Sequence, residues 1–188
     1  MRNPVIVDEI ESVVDLVREN STDLTFDETF SGPGAPFFMP GHLREIANNL
    51  LDMDEDKVAK YRKYPLFALN TDIQELVEGG IVSYNLNIAI LAYTDPNYTT
   101  RERLEKVFKA TLYPLYDRFM EQLEIQGFFW EGEFESFPHT KIDRFFWGTE
   151  QRLNGNHNAN VGYPFNDPLD AIEIVNLKIK KYMTCKPY

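Results

Sequence analysis

The sequence predicts an α+β domain in which helices pack on a mostly antiparallel sheet, and three observations carry that expectation. From Val82 to Ala92 apolar and polar residues alternate, which is the period of an antiparallel strand with one face buried and the other half wet. From Leu104 to Leu123 apolar residues recur at three- and four-residue steps, the period of a helix with one buried face. The segments follow one another as helix, strand, helix, two strands, long helix, then strands, which suits helices gathered against a sheet.

The first helix is predicted to open at Asn3-Pro4, since Asn caps well and proline suits the first helical position. Ile6, Ile10, Val13, Val14 and Val17 form its apolar face, and Asp8, Glu9 and Glu11 lie where the helix dipole favours negative charge. Leu24, Phe26 and Phe30 share one side of a predicted strand over 24–30, with Glu28 as its flaw. Residues 31–41 hold Gly32-Pro33-Gly34, Pro36 and Pro40-Gly41, so an irregular, exposed loop is expected there. Leu43, Ile46, Ala47 and Leu50 suggest a second helix that fades into the acidic Asp52-Met53-Asp54-Glu55-Asp56. A strand at Tyr64–Leu69 is followed by a turn region ending at Gly79-Gly80. Next comes the alternating strand, with Val82, Tyr84, Leu86, Ile88, Ile90 and Ala92 on one face and Ser83, Asn85 and Asn87 on the other.

Thr99-Thr100-Arg101-Glu102 reads as a capping box, in which Thr and Glu each satisfy a free amide at a helix start. The stripe Leu104, Val107, Phe108, Leu112, Leu115, Phe119 and Leu123 continues that helix, and Gly127 closes it. Pro114 lies inside and predicts a kink. Two strands are read at 128–134 and 141–147, an Asn/Gly-rich loop at 150–168, and a last strand at 171–180. With no repeat and no linker, residues 1–188 are expected to form a single domain.

The net charge of −11 and the aromatic share of 14% point toward protein contacts. Acidic surfaces disfavour sustained attachment to phosphates, and aromatic residues are enriched where proteins meet. Acidic residues near the N-terminus interrupt what a signal peptide would need to be apolar. No run approaches a membrane span, so synthesis in the cytoplasm and no membrane partner are expected. The single cysteine, Cys185, fits a reducing compartment.

Chemistry is sparse. His42, His139 and His157 stand far apart, without the local pairing of a zinc site, and Cys185 reads as an inert thiol. Glu131, Glu133 and Glu135 would share a strand face, able to hold a divalent cation but more simply a solvated row. Asp167, Asp170, Glu173 and Lys178 faintly resemble a metal-dependent nuclease, yet the tight Glu-x-Lys spacing is missing because Val175 follows two places after Glu173. The basic run Lys57, Lys60, Arg62 and Lys63, interleaved with Tyr61 and Tyr64, reads as a partner of the preceding acids or of a neighbouring subunit rather than as a nucleic-acid site. Gly32-Pro33-Gly34 is no phosphate loop, and no Gly-x-Ser-x-Gly elbow occurs. No catalytic, cofactor-binding or metal-binding residue is predicted, and no cofactor.

Four segments together resemble virion proteins of tailed phages of Bacteroidetes, including crAss-like phages. They are Lys63-Tyr-Pro-Leu-Phe-Ala-Leu-Asn-Thr-Asp72, the strand ending Ala92-Tyr-Thr-Asp-Pro-Asn-Tyr98, the helix Arg101-Glu-Arg-Leu-Glu-Lys-Val-Phe-Lys-Ala-Thr-Leu-Tyr-Pro-Leu-Tyr116, and Asn166-Asp-Pro-Leu-Asp-Ala-Ile-Glu-Ile-Val-Asn-Leu177. The organisation is also similar to tail-terminator proteins. The resemblance spans roughly residues 40–180 and carries no catalytic motif. It implies a virion subunit of a head–tail connector or tail ring, in twelve copies with six as the alternative. Its neighbours would be the portal and other neck or tail proteins, and DNA would pass through without specific binding. Two rival readings are a phage metal-dependent nuclease using Asp170 and Glu173, and a monomeric acidic host-binding protein.

Overall fold

The computed structural model describes residues 5–26, 34–55, 62–131, 136–147 and 167–183. Helix α1 spans Ile6–Glu19, strand β1 Phe37–Gly41, helix α2 Leu43–Glu55, strand β2 Leu66–Glu78 and strand β3 Ile81–Tyr93. Helix α3 runs through three consecutive segments, Thr100–Arg103, Leu104–Leu112 and Tyr113–Ile125, and strands β4 (Thr140–Trp147) and β5 (Leu169–Tyr182) follow. The strands form one mixed sheet in the order β1-β2-β3-β5-β4. Only the β1–β2 pairing is parallel; the other three are antiparallel. This is the α+β class that alternation and helical periodicity predict.

Successive strand residues point to opposite faces, and the sheet buries both at one end. On one face Val82, Tyr84, Leu86, Ile88, Ile90 and Ala92 join the stripe of α3 and the apolar face of α1 in the larger core. On the other face Leu66, Ala68, Leu91, Leu169, Ala171 and Trp147 pack with Ile46, Ala47 and Leu50 of α2 in a smaller one. Ser83, Asn85 and Asn87, predicted to be half wet, are partly exposed on that second face.

Several expectations are corrected. Helix α1 begins at Ile6 with Val5 in the capping position and no side-chain cap; Asn3 and Pro4 lie outside the described residues. Residues 24–26 are not a strand, because Leu24 N–H closes a turn onto Ser21 O and Leu24 and Phe26 are drawn against the larger core; residues 27–30 lie outside the described residues. The expected loop at 31–41 yields a strand at Phe37–Gly41, paired in parallel with Leu66–Asn70. Residues 31–33 lie outside the described residues. Phe37 N–H points inward to Pro65 O, so by alternation Pro40 faces the open side, where its missing N–H blunts the edge.

Helix α2 runs into the acidic stretch as far as Glu55; Asp56 lies outside the described residues. Strand β2 likewise continues through the expected turn region to Glu78, with an irregularity between Asn70 and Gln74. Gly79 and Gly80 then reverse the chain at φ 58° and 82°, the positive pair that a tight two-residue hairpin needs. Of the strand expected over 128–134, residues 128–131 form only a bridge from Phe129 to Lys180; residues 132–134 lie outside the described residues.

The capping box is present, Glu102 N–H donating to Thr99 Oγ1 and Thr99 N–H to Glu102 Oε2. Gly127, at φ 79°, ends α3, with Phe128 N–H reaching back to Leu123 O. Pro114 does not end the helix, which runs on to Ile125. The Leu104–Leu112 segment before it is a π-helix, and Tyr113 N–H bonds Phe108 O five residues back. That wider turn absorbs the proline, which stands at the start of the regular Tyr113–Ile125 segment. No helix among the described residues is long and apolar enough to cross a membrane.

Candidate functional site

The carboxylates weighed as nuclease ligands come from β5 and the residues leading into it, but the fold gives each its own cation. Asp170 points to the α3 face at the sheet's end and meets Arg103; both are fully buried, with Arg103 Nη1 2.9 Å from Asp170 Oδ1. Arg103 also donates to Thr94 Oγ1 (3.1 Å), Tyr98 O (3.2 Å) and Asp95 O (3.1 Å). Asp170 Oδ1 accepts a second bond from Phe146 N–H at 2.9 Å. Phe146 takes a left-handed φ of 55°, a costly conformation for a bulky residue. Its ring lies 3.5 Å from the Arg103 guanidinium carbon, so this strained bulge is clamped from both sides.

The bulge falls between Arg144 and Trp147 in the β4–β5 register and brings Trp147 onto the opposite face. There Trp147 Nε1–H donates to Glu173 Oε1 and Arg144 Nε–H to Glu173 Oε2, each at 2.8 Å. Asp167 Oδ2 accepts from Lys63 Nζ and Tyr64 OH, each at 3.0 Å. Lys63 therefore pairs across the fold with Asp167; Lys57 and Lys60 lie outside the described residues. Lys178 stands apart, opposite Asn85. The four candidate residues thus divide into three separate ion pairs and one exposed lysine, and no group of three or more potential metal ligands occurs among the described residues.

Arg103 belongs to none of the motifs read from the sequence. Its signal was available: it stands four places before Val107 on the buried face of α3, where a charge requires a buried counter-ion.

A second cluster joins α3 to β4. Tyr113 OH donates to Asp143 Oδ2 at 2.6 Å, and Lys141 Nζ donates to Asp143 Oδ1 at 2.7 Å while lying 4.3 Å from the Tyr113 ring centre. Tyr116 OH and His139 Nε2 are 2.6 Å apart, and His139 Nδ1 is 2.7 Å from Phe137 O. A carbonyl can only accept, so Nδ1 carries the proton and, in the neutral ring, Tyr116 donates to Nε2. Asp143 and burial push the Tyr113 phenol up to about 12. Burial, followed by Asp117, raises Tyr116. Burial, with Glu75 and Glu9 nearby, raises Tyr84 to about 12. These shifts favour neutral, donating phenols and move away from the values that suit proton transfer at neutral pH.

A cleft of about 370 Å³ lies between the end of β3 and α3, bordered by Phe26, Tyr64, Tyr93, Tyr98 and Lys106. None of the phenols with raised pKa lines it. The other predicted positions scatter. His42 accepts from Arg44 N–H and is exposed, Glu131 pairs with Lys180 at 3.2 Å, and Glu133, Glu135, His157 and Cys185 lie outside the described residues. No protein-family model matches the chain, and no curated protein is significantly similar to it.

Three of the exposed apolar side chains stand at the sheet end away from α2. Past the irregularity at Asn70, β2 pairs only with β3 among the described residues. There Leu76 is 62% exposed and Val77 50%, and two strands away Tyr182 is 65% exposed.

Proposed function

We propose that this chain is a structural, assembling subunit of a tailed-phage virion, in a ring of the head–tail connector or tail that joins portal to tail around the DNA. The projecting β2–β3 end carries this reading. Leu76 and Val77 are held on a hydrogen-bonded hairpin closed by two glycines, so they cannot turn inward, and burying them needs another protein surface. The net acidity supports a lining past which DNA slides. In this reading Asp170 and Glu173 are structural counter-ions of Arg103 and Arg144, and no catalysis is involved. Twelve copies are proposed over six.

The test is assembly. The purified chain should sediment as a closed oligomer and occur in particles at ring stoichiometry. Leu76→Asp combined with Val77→Asp should release folded monomer. A chain that stays monomeric at every concentration, or a double variant that assembles as well as the parent, would refute the reading.

A further inference from the structure

Helix α2 covers only one end of its sheet face. Beyond it lies an open depression of about 510 Å³, whose border includes Leu76, Ser83, Asn85, Trp130, Lys178 and the acidic Glu75. By register Lys180 lies opposite Ser83 and Lys178 opposite Asn85, so both lysines stand on this face, two residues apart on one strand. Lys180 is 5.0 Å from the Trp130 ring centre and 3.2 Å from Glu131; Lys178 has no ion pair among the described residues. This face thus sets the exposed Leu76 and the Trp130 ring among polar side chains and two lysines, of which, among the described residues, Lys180 is answered by Glu131 and Lys178 is not, on a chain of net charge −11.

The complementary surface is on the other side of the same molecule. The buried side of α1 is Ile6, Ile10, Val13, Val14 and Val17, which turns Asp8, Glu11, Asp15 and Glu19 outward in one exposed row. Of these only Asp15 has a cation beside it among the described residues, Arg18. Residues two apart on a strand are separated by about 6.8 Å, and residues four apart on a helix rise by about 6 Å. The spacing of Lys178 and Lys180 thus matches that of Glu11 and Asp15.

We infer that the open β2–β3–β5 face of one copy docks on the acidic α1 ridge of a second copy, placing Lys178 and Lys180 against Glu11 and Asp15. The inference rests on the assembling role proposed above and adds the interface. Because α1 and the lysine face lie on opposite sides of the sheet, two copies cannot satisfy both contacts mutually. The contact is heterologous, and it propagates until a rotation closes it.

The experiment is a charge swap read by sedimentation and native mass, with circular dichroism confirming the fold of each variant. Lys178→Glu with Lys180→Glu, and separately Glu11→Lys with Asp15→Lys, should each weaken self-association by about tenfold or more. The four substitutions combined should restore it. If the parent assembles and either folded swap assembles equally well, or the combination gives no rescue, this interface is wrong while the assembling role stands. A parent that is monomeric throughout overturns both. If the lysine swap lowers incorporation into particles but not self-association, the occupant is a different acidic protein and the inference fails.

Discussion

Asp170→Ala is the substitution that bears most directly on how the molecule is held together. It removes the only carboxylate bonded to Arg103 among the described residues, and the Arg103 side chain is completely buried. The guanidinium would keep Thr94, Tyr98 and Asp95 as acceptors but lose its counter-ion, and Phe146 N–H would lose its acceptor in a strained backbone. Breaking a buried pair from one side costs about 3–5 kcal/mol. For a chain of this size, with about 2–4 °C lost per kcal/mol, the melting temperature should fall by roughly 6–20 °C. Urea titration and calorimetry measure both quantities. Arg103→Met with Asp170→Leu should be less damaging than the sum of the single changes, because no charge is left stranded. A single variant within about 1 kcal/mol of the parent would refute the clamp, being far below the stranded-charge cost. The same preparations, together with Glu173→Ala, should show no magnesium-dependent cleavage of DNA beyond background.

The remaining predictions concern local devices. Tyr84 and Tyr113 should ionise near pH 12 in an ultraviolet titration. Since their folded values lie above the unfolded value of 10.0, the stabilisation they give is complete below about pH 10 and is lost as pH rises toward 12; Tyr113→Phe should abolish one late step. Thr99→Ala breaks the capping box and should cost about 1 kcal/mol in denaturant unfolding. Pro114→Ala should stabilise the chain by well under the roughly 3 kcal/mol of a proline forced into a regular helix, because the π-helical turn already relieves it; a calorimetric gain of the full amount would show that it does not.

Elements whose signals lie within a few turns of chain were legible from residue order. Helix α1, strand β3, the Thr99 capping box, the stripe of α3 and the Gly127 stop were legible because period and caps are set by neighbouring residues. So were β4 and β5, to within a few residues. Tertiary structure decided the rest. Phe37–Gly41, rich in loop-forming residues, is a strand because β2 supplies parallel partners. The polar stretch Asn70–Glu78 is a strand because Gly79-Gly80 folds it back along β3, whose own alternation leaves an edge to pair. The apolar run after Gly127, which looks like a strand, finds only one bridge on β5. At the candidate sites the limit was the same. Asp170, Glu173 and Asp167 stand close in sequence, so a shared metal was conceivable. Alternation sends Asp170 and Glu173 to opposite faces, and cations from three distant segments, Arg103, Arg144 and Lys63, take one carboxylate each. Charge pairing across 29 to 104 residues of chain is set by which faces the sheet brings together, and no local pattern encodes it.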